Sequence, residues 1–151
     1  MLGVLTFACN ATKTTGNDST KSDKSITFLN ASLQSWTAGV QGGGSGTEYY
    51  FPIILNTSKE ISFTEAWINN QSYDVFLSID NAAISNDPLK VQKGDTITLR
   101  VSALNNTPPK STSSSPPITY DGAALIGYKI KDKQRYYIIK EIEELPFIPH
   151  Q

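Results

Sequence analysis

One cysteine and one histidine among 151 residues leave little material for the commonest site chemistries. A lone cysteine closes no disulfide within its own chain, so Cys9 needs another use if the protein is exported. The histidine, His150, sits beside Gln151. A Ser-His-Asp or Cys-His set would have to draw its base from there, and zinc would be short of ligands. No stretch approaches the roughly 18 consecutive apolar residues of a membrane-crossing helix. An excess of basic charge is missing too: 13 Lys and Arg against 14 Asp and Glu give a formal net charge of -1. The basic residues are scattered, which removes the electrostatic footprint of a nucleic-acid binder.

What is present is enough for one domain. A chain of this length buries roughly two-thirds of the surface that it exposes unfolded. Hydrophobic residues make up 38%, concentrated outside the polar start and the Ser/Pro-rich loops.

The first eight residues, Met1 to Ala8, are apolar and uncharged up to Cys9, and from Asn10 to Ser25 the only apolar residue is Ala11. That profile reads as the end of a signal-peptide core, a small residue at the cleavage point, and a polar mature tail. Ala8-Cys9 resembles the lipobox of bacterial lipoproteins, in which the cysteine is acylated through its sulfur; Thr6 and Phe7 hold the places where a lipobox has a leucine and a small residue. A start upstream of Met1 would account for the absent basic n-region. The competing reading of residues 1–9 is an edge strand with a buried free cysteine.

From Ser25 onward, strand signals alternate with turn signals and no helical period competes. Ile97, Leu99, Val101 and Ala103 share one face of a strand over Asp95 to Ala103, entered by the turn Gln92-Lys93-Gly94-Asp95. Tyr49, Phe51, Ile53 and Leu55 alternate likewise, with Pro52 among them predicting an edge or bulged strand. Ile61, Phe63 and Trp67 form a further inward set, and Tyr73, Val75, Leu77 and Ile79 another, joined by a hairpin turn at Asn69-Asn70-Gln71-Ser72. Two strands, Ala123 to Ile130 and Gln134 to Leu145, flank Lys131-Asp132-Lys133 and carry apolar residues on both faces, which predicts pairing near the middle of a sheet. With Ile26 to Leu29 and Leu33 to Thr37, the pattern predicts an all-β fold: one immunoglobulin-like β-sandwich of about 7–8 mostly antiparallel strands.

Several segments invite functional readings. The run Gly42, Gly43, Gly44, Ser45 and Gly46 could wrap a ligand, but it lacks the helix and lysine of a phosphate loop and reads first as a hairpin or crossover loop. Lys110 lies in the proline- and hydroxyl-rich segment Thr107 to Thr119, either an insertion or a recognition loop. Asp80, Asn81, Asn86 and Asp87 offer oxygens to calcium without the spacing of an EF-hand. Glu141, Glu143 and Glu144 bring carboxylates together, as glycosidases do, yet on a strand they read as a solvated face.

Ala8-Cys9, the Trp36-Thr37-Ala38-Gly39 segment with its glycine run and Tyr49, Ala124-Leu125-Ile126-Gly127-Tyr128, and Arg135 through Glu141 to Leu145-Pro146 resemble small, uncharacterised lipoproteins of Flavobacteria and other Bacteroidetes. The resemblance implies lipidation at Cys9 and an outer-membrane address, on the periplasmic face or the cell surface. It imports no activity. The sequence thus predicts a signal-peptide remnant over 1–8, a lipid-anchored disordered tether over 9–24 and a sandwich over 25–151. The expected role is a non-enzymatic binding or structural module without metal or cofactor, attached to a membrane by its lipid and engaging a protein or glycan. The alternatives are a carboxylate-based hydrolytic accessory and a calcium-dependent adhesive domain.

Overall fold

The computed structural model describes residues 23–40, 42–79, 82–83, 92–105 and 115–150. These contain strands and no helix: β1 (Ile26–Phe28), β2 (Ala31–Ala38), β3 (Ser45–Leu55), β4 (Ile61–Ile68), β5 (Gln71–Tyr73), β6 (Phe76–Ile79), β7 (Ala82–Ala83), β8 (Thr96–Leu104), β9 (Ala124–Ile130), β10 (Lys133–Ile139), β11 (Ile142–Glu144) and β12 (Ile148–His150). One sheet has the order β11-β2-β3-β8-β6-β7, with β1 also paired to β3 and β12 to β2; the other has the order β10-β9-β4-β5. Five of the strands have only two or three residues. The longer ones, β2-β3-β8-β6 against β10-β9-β4, follow the Greek-key order of an immunoglobulin-like sandwich, and β5 widens the smaller sheet. All pairings are antiparallel except those of β11 and β12 with β2.

The core is the shared interior of the two sheets. Phe51, Ile53 and Leu55 from β3 and Ile97, Leu99 and Val101 from β8 meet Ala66 and Ile68 from β4 and Ala124, Ile126, Tyr128 and Ile130 from β9, all buried. Alternation with period two delivers these sets to one face. Turn chemistry fixes the registers. Asn69 and Asn70 take φ of 51° and 62° between Ile68 and Gln71, which face each other. Two central residues with positive φ make the tight turn whose twist suits a hairpin, and asparagine tolerates that region.

Four sequence expectations need correction. Pro52 does not mark an edge: β3 is paired on both sides, to β1 and β2 on one and to β8 on the other. The irregularity lies in the neighbouring chain instead. Phe28 faces Ile53 and Ser32 faces Tyr50, so four steps on one strand oppose three on the other, and the extra residue is a bulge beside Pro52. There the missing proline N–H costs no ladder bond, while the Leu29 amide donates to the Pro52 carbonyl at 2.9 Å.

Trp67 is buried at 3% exposure, but it faces away from the main core. A register shift between Phe63 and Glu65 turns Ala66 and Ile68 inward in its place, because one inserted residue reverses the face of every residue that follows. Trp67 pairs across the strand with Leu125, and the Tyr120 hydroxyl donates to its carbonyl at 3.3 Å.

The Tyr73 to Ile79 alternation belongs to two strands in different sheets, β5 and β6. Asp74 and Val75 carry the chain across, and Val75 still packs on the core. Gln134 to Leu145 also divides: β10 is the edge of the smaller sheet, β11 lies in the larger one, and only β9 is central. Ile139 and Ile142 both face the core. Three residues apart, they could not do so on one continuous strand; the crossing at Lys140-Glu141 makes it possible.

The entry to β1 is pinned to the smaller sheet. Phe28 stacks on Tyr137 with centroids 3.9 Å apart and planes 9° apart, and Asp23 Oδ2 lies 3.0 Å from Arg135 Nε. Burial alone would raise the Asp23 carboxyl, but hydrogen bonds from Ser25 and the charges of Arg135 and Lys59 outweigh it and hold the group below its ordinary value. Tyr128 lies beneath this corner. Burial first, then the Asp23 carboxylate, push its phenol up to about 12, with Arg135 opposing.

Leu99 is fully buried between the sheets, so Leu99→Ala should cost about 2–5 kcal/mol in urea unfolding, whereas Thr98→Ala on the outward face should stay within about 0.5 kcal/mol. The Tyr128 shift predicts an alkaline slope. Between pH 10.0, where the unfolded phenol releases its proton, and about 12, where the folded one does, the native state binds more protons and stability falls as pH rises. Unfolding titrations across that window should show the decline, flattened in Tyr128→Phe. Some slope should persist, because burial shifts Tyr49, Tyr73, Tyr120 and Tyr136 in the same direction.

Candidate functional site

Since Phe51, Leu99 and Val101 point inward, their strand neighbours point outward and form the open face of the larger sheet. The registers lay this face out in rows. Ser32, Tyr50, Arg100 and Phe76 stand side by side on β2, β3, β8 and β6. The next row is Gln34, Glu48 and Ser102, and the one beyond is Trp36, Gly46 and Leu104. Outward positions of a solvated sheet are ordinarily polar. Here they include two exposed apolar side chains, Phe76 and Leu104, each 42% accessible, and the half-exposed rings of Trp36 and Tyr50.

The polar groups between these rings are fixed. Glu48 accepts a hydrogen bond from the Ser102 hydroxyl at 2.6 Å and pairs with Arg100 Nη2 at 3.4 Å. The Arg100 guanidinium also lies over the Tyr50 ring, 5.7 Å from its centroid, an attraction between cation and ring quadrupole. Gln34 donates from its side-chain amide to the Pro146 carbonyl at 3.0 Å, which holds it against the edge strand. Beside them the Trp36 indole lies over Gly46: a Cβ there would stand 3.2 Å from Nε1 and 3.0 Å from the Ala103 carbonyl oxygen. Glycine lets the ring settle onto the sheet.

That accounts for Gly46, which is a strand residue and not part of a loop. Ser45 belongs to β3 as well, where its carbonyl accepts from the Asn105 amide at 3.0 Å. Gly42, Gly43 and Gly44 turn the hairpin between β2 and β3. Gly42 and Gly44 have φ of 85° and 81°, Gly43 donates to the Val40 carbonyl, and Gly44 accepts from the Ala38 amide. The glycine run is thus a hairpin connection, closed by its own backbone bonds and carrying the exposed Val40. Cys9, Lys110, Asp80, Asn81, Asn86 and Asp87 lie outside the described residues.

The acidic residues near the crossing into β11 line a depression of about 270 Å³ together with Asn30, Ala31 and Ile142. Glu141 and Glu143 are two steps apart on one segment, both exposed; they do not oppose each other across a cleft, as the two carboxylates of a glycosidase do. Among the described residues no group of three His, Cys, Asp or Glu is placed to hold a metal.

The outward face was only half legible in the sequence. The alternation that puts Ile97, Leu99, Val101 and Ala103 on one face leaves Thr96, Thr98, Arg100 and Ser102 on the other, but nothing in the sequence tied these to Trp36, Glu48, Tyr50 and Phe76. The available signal was large aromatics at outward positions of several strands at once. A double-mutant cycle of Arg100→Ala and Glu48→Ala should return a coupling of about 0.2–1 kcal/mol, the range for a partly solvated pair, since the Arg100 side chain is 33% exposed; denaturant unfolding of the four proteins measures it.

No protein-family model matches the chain, and neither a curated protein nor a solved structure matches it significantly.

Proposed function

We propose that this protein is a lipid-anchored, non-enzymatic binding module of the bacterial cell envelope, held through Cys9 and engaging its partner with the open face of the larger sheet. The observation that carries the binding role is that face: rings of Trp36, Tyr50 and Phe76 set around a fixed Arg100 and Glu48 pair. Preorganised side chains lose little entropy when a partner arrives. The exposed position of Glu141 and Glu143 along a single segment favours binding over carboxylate hydrolysis.

Support for the anchor comes from the sequence and from the placement of the strands. Ala8-Cys9 precedes a polar stretch that ends at Ser25, and the first strand of the sandwich starts at Ile26. A stretch of that length, fully extended at about 3.3 Å per residue, reaches roughly 50 Å, enough to clear lipid headgroups. Two acyl chains hold a protein on a bilayer stably, where one does so only marginally.

Metabolic labelling of the native host with a palmitate analogue should mark the wild-type protein and not Cys9→Ala. The unlabelled variant should leave the membrane fraction. Label retained by Cys9→Ala would remove the anchor from the proposal, and protease shaving of whole cells would assign the leaflet.

A further inference from the structure

We infer that the open face of the larger sheet is a binding site for a neutral, extended glycan; this rests on the reading of that face as the binding surface and names the class of ligand. The first argument is how apolar and polar groups alternate. The core of a protein interface is contiguous, apolar and depleted in charge. This face is built the other way. Its rings are separated by polar rows, and an ion pair stands in the middle: Gln34, Glu48 and Ser102 lie between the Trp36 row and the Tyr50 row, and Arg100 lies between Tyr50 and Phe76.

A pyranose ring asks for this combination. Its axial C–H groups present a weakly positive apolar face that rests on the negative face of an aromatic ring, while its hydroxyls, each both donor and acceptor, need carboxylate, amide and guanidinium partners at the ring's rim. Glu48 and Arg100 supply an acceptor and a donor already held in place by Ser102, Tyr50 and each other.

Spacing sets the size of the ligand. Gly46, over which the Trp36 indole lies, and Tyr50 are four residues apart on β3, about 13 Å at strand geometry, and Tyr50 and Phe76 are two strands apart, about 10 Å. One sugar does not bridge such distances. A chain of several sugars lying flat on the face, with one step along β3 and one across β8, does.

Charge selects among glycans. Arg100 and Glu48 neutralise each other at 3.4 Å, and the next charge in the Tyr50 row is another carboxylate, Glu143, beside Ser32. An anionic polymer such as alginate would meet net negative charge, so the complement of this surface is a neutral polysaccharide.

The test is affinity electrophoresis of the full chain through native gels containing galactomannan, xyloglucan or a mixed-linkage β-glucan, with alginate as the anionic probe. At least one neutral polymer should retard the protein and alginate should not. Trp36→Ala and Tyr50→Ala should each weaken the apparent affinity about tenfold or more, as loss of a ring anchor does, while Trp36→Tyr keeps most of it. Thermal melts of each variant separate lost binding from lost fold. Retardation by none of the neutral polymers, retardation by alginate alone, or retardation unchanged in a folded Trp36→Ala/Tyr50→Ala double variant would each overturn the inference. Crosslinking to an envelope protein that depends on Trp36 and Tyr50, without polysaccharide retardation, would overturn the glycan and leave the binding role standing. If neither readout depends on those residues, both fall.

Discussion

Two sheets can share one core only if every strand keeps its large apolar side chains on the same side, and with a period of two a slip of one residue turns the whole set outward. That constraint governs the sandwich. Phe51, Ile53, Leu55, Ile97, Leu99 and Val101 satisfy it by unbroken alternation and are among the most deeply buried residues. Elsewhere the chain satisfies it by changing step. The extra residue beside Pro52, the register shift between Phe63 and Glu65, and the crossing at Lys140-Glu141 each reset which residues point inward. None of these is a defect. Each lets a segment whose plain alternation would fail contribute to the core.

The same logic explains what could be read from the residues alone. The strand over Asp95 to Ala103 and the turn at Asn69-Asn70 were legible because alternation and turn chemistry are local. Trp67 was not, since its direction depends on a bulge that no single residue type announces, and outward-facing Trp67 and inward-facing Ala66 reverse what size alone suggests. Sheet membership was hidden as well. Tyr73 to Ile79 alternates as one strand would, and only tertiary pairing assigns β5 and β6 to different sheets. The parallel pairing of β11 and β12 with β2 had no local signature.

The open face of the larger sheet follows from this geometry too. Burying one side of β3 and β8 leaves the other side free to be chosen for something besides the fold, and there Tyr50, Glu48 and Arg100 engage one another. Trp36 reaches its place only because Gly46 has no side chain. Rings, ion pair and glycine come from four strands, so the surface exists only in the assembled sheet. The glycine run that draws the eye in the sequence serves to turn the hairpin that brings Trp36 and Gly46 together.

The pairing of β11 with β2 sets a schedule for the chain's assembly. Ile142 faces Ala31, 111 residues earlier in sequence, so this ladder closes one of the longest loops in the domain, a slow step that local contacts cannot hasten. In N-to-C order residues 31–38 are made first and lack their outer neighbour until residues 142–150 follow. Throughout that interval the Trp36 strand is a bare sheet edge, open to any other strand that passes. That edge is closed last, by the two short parallel strands β11 and β12.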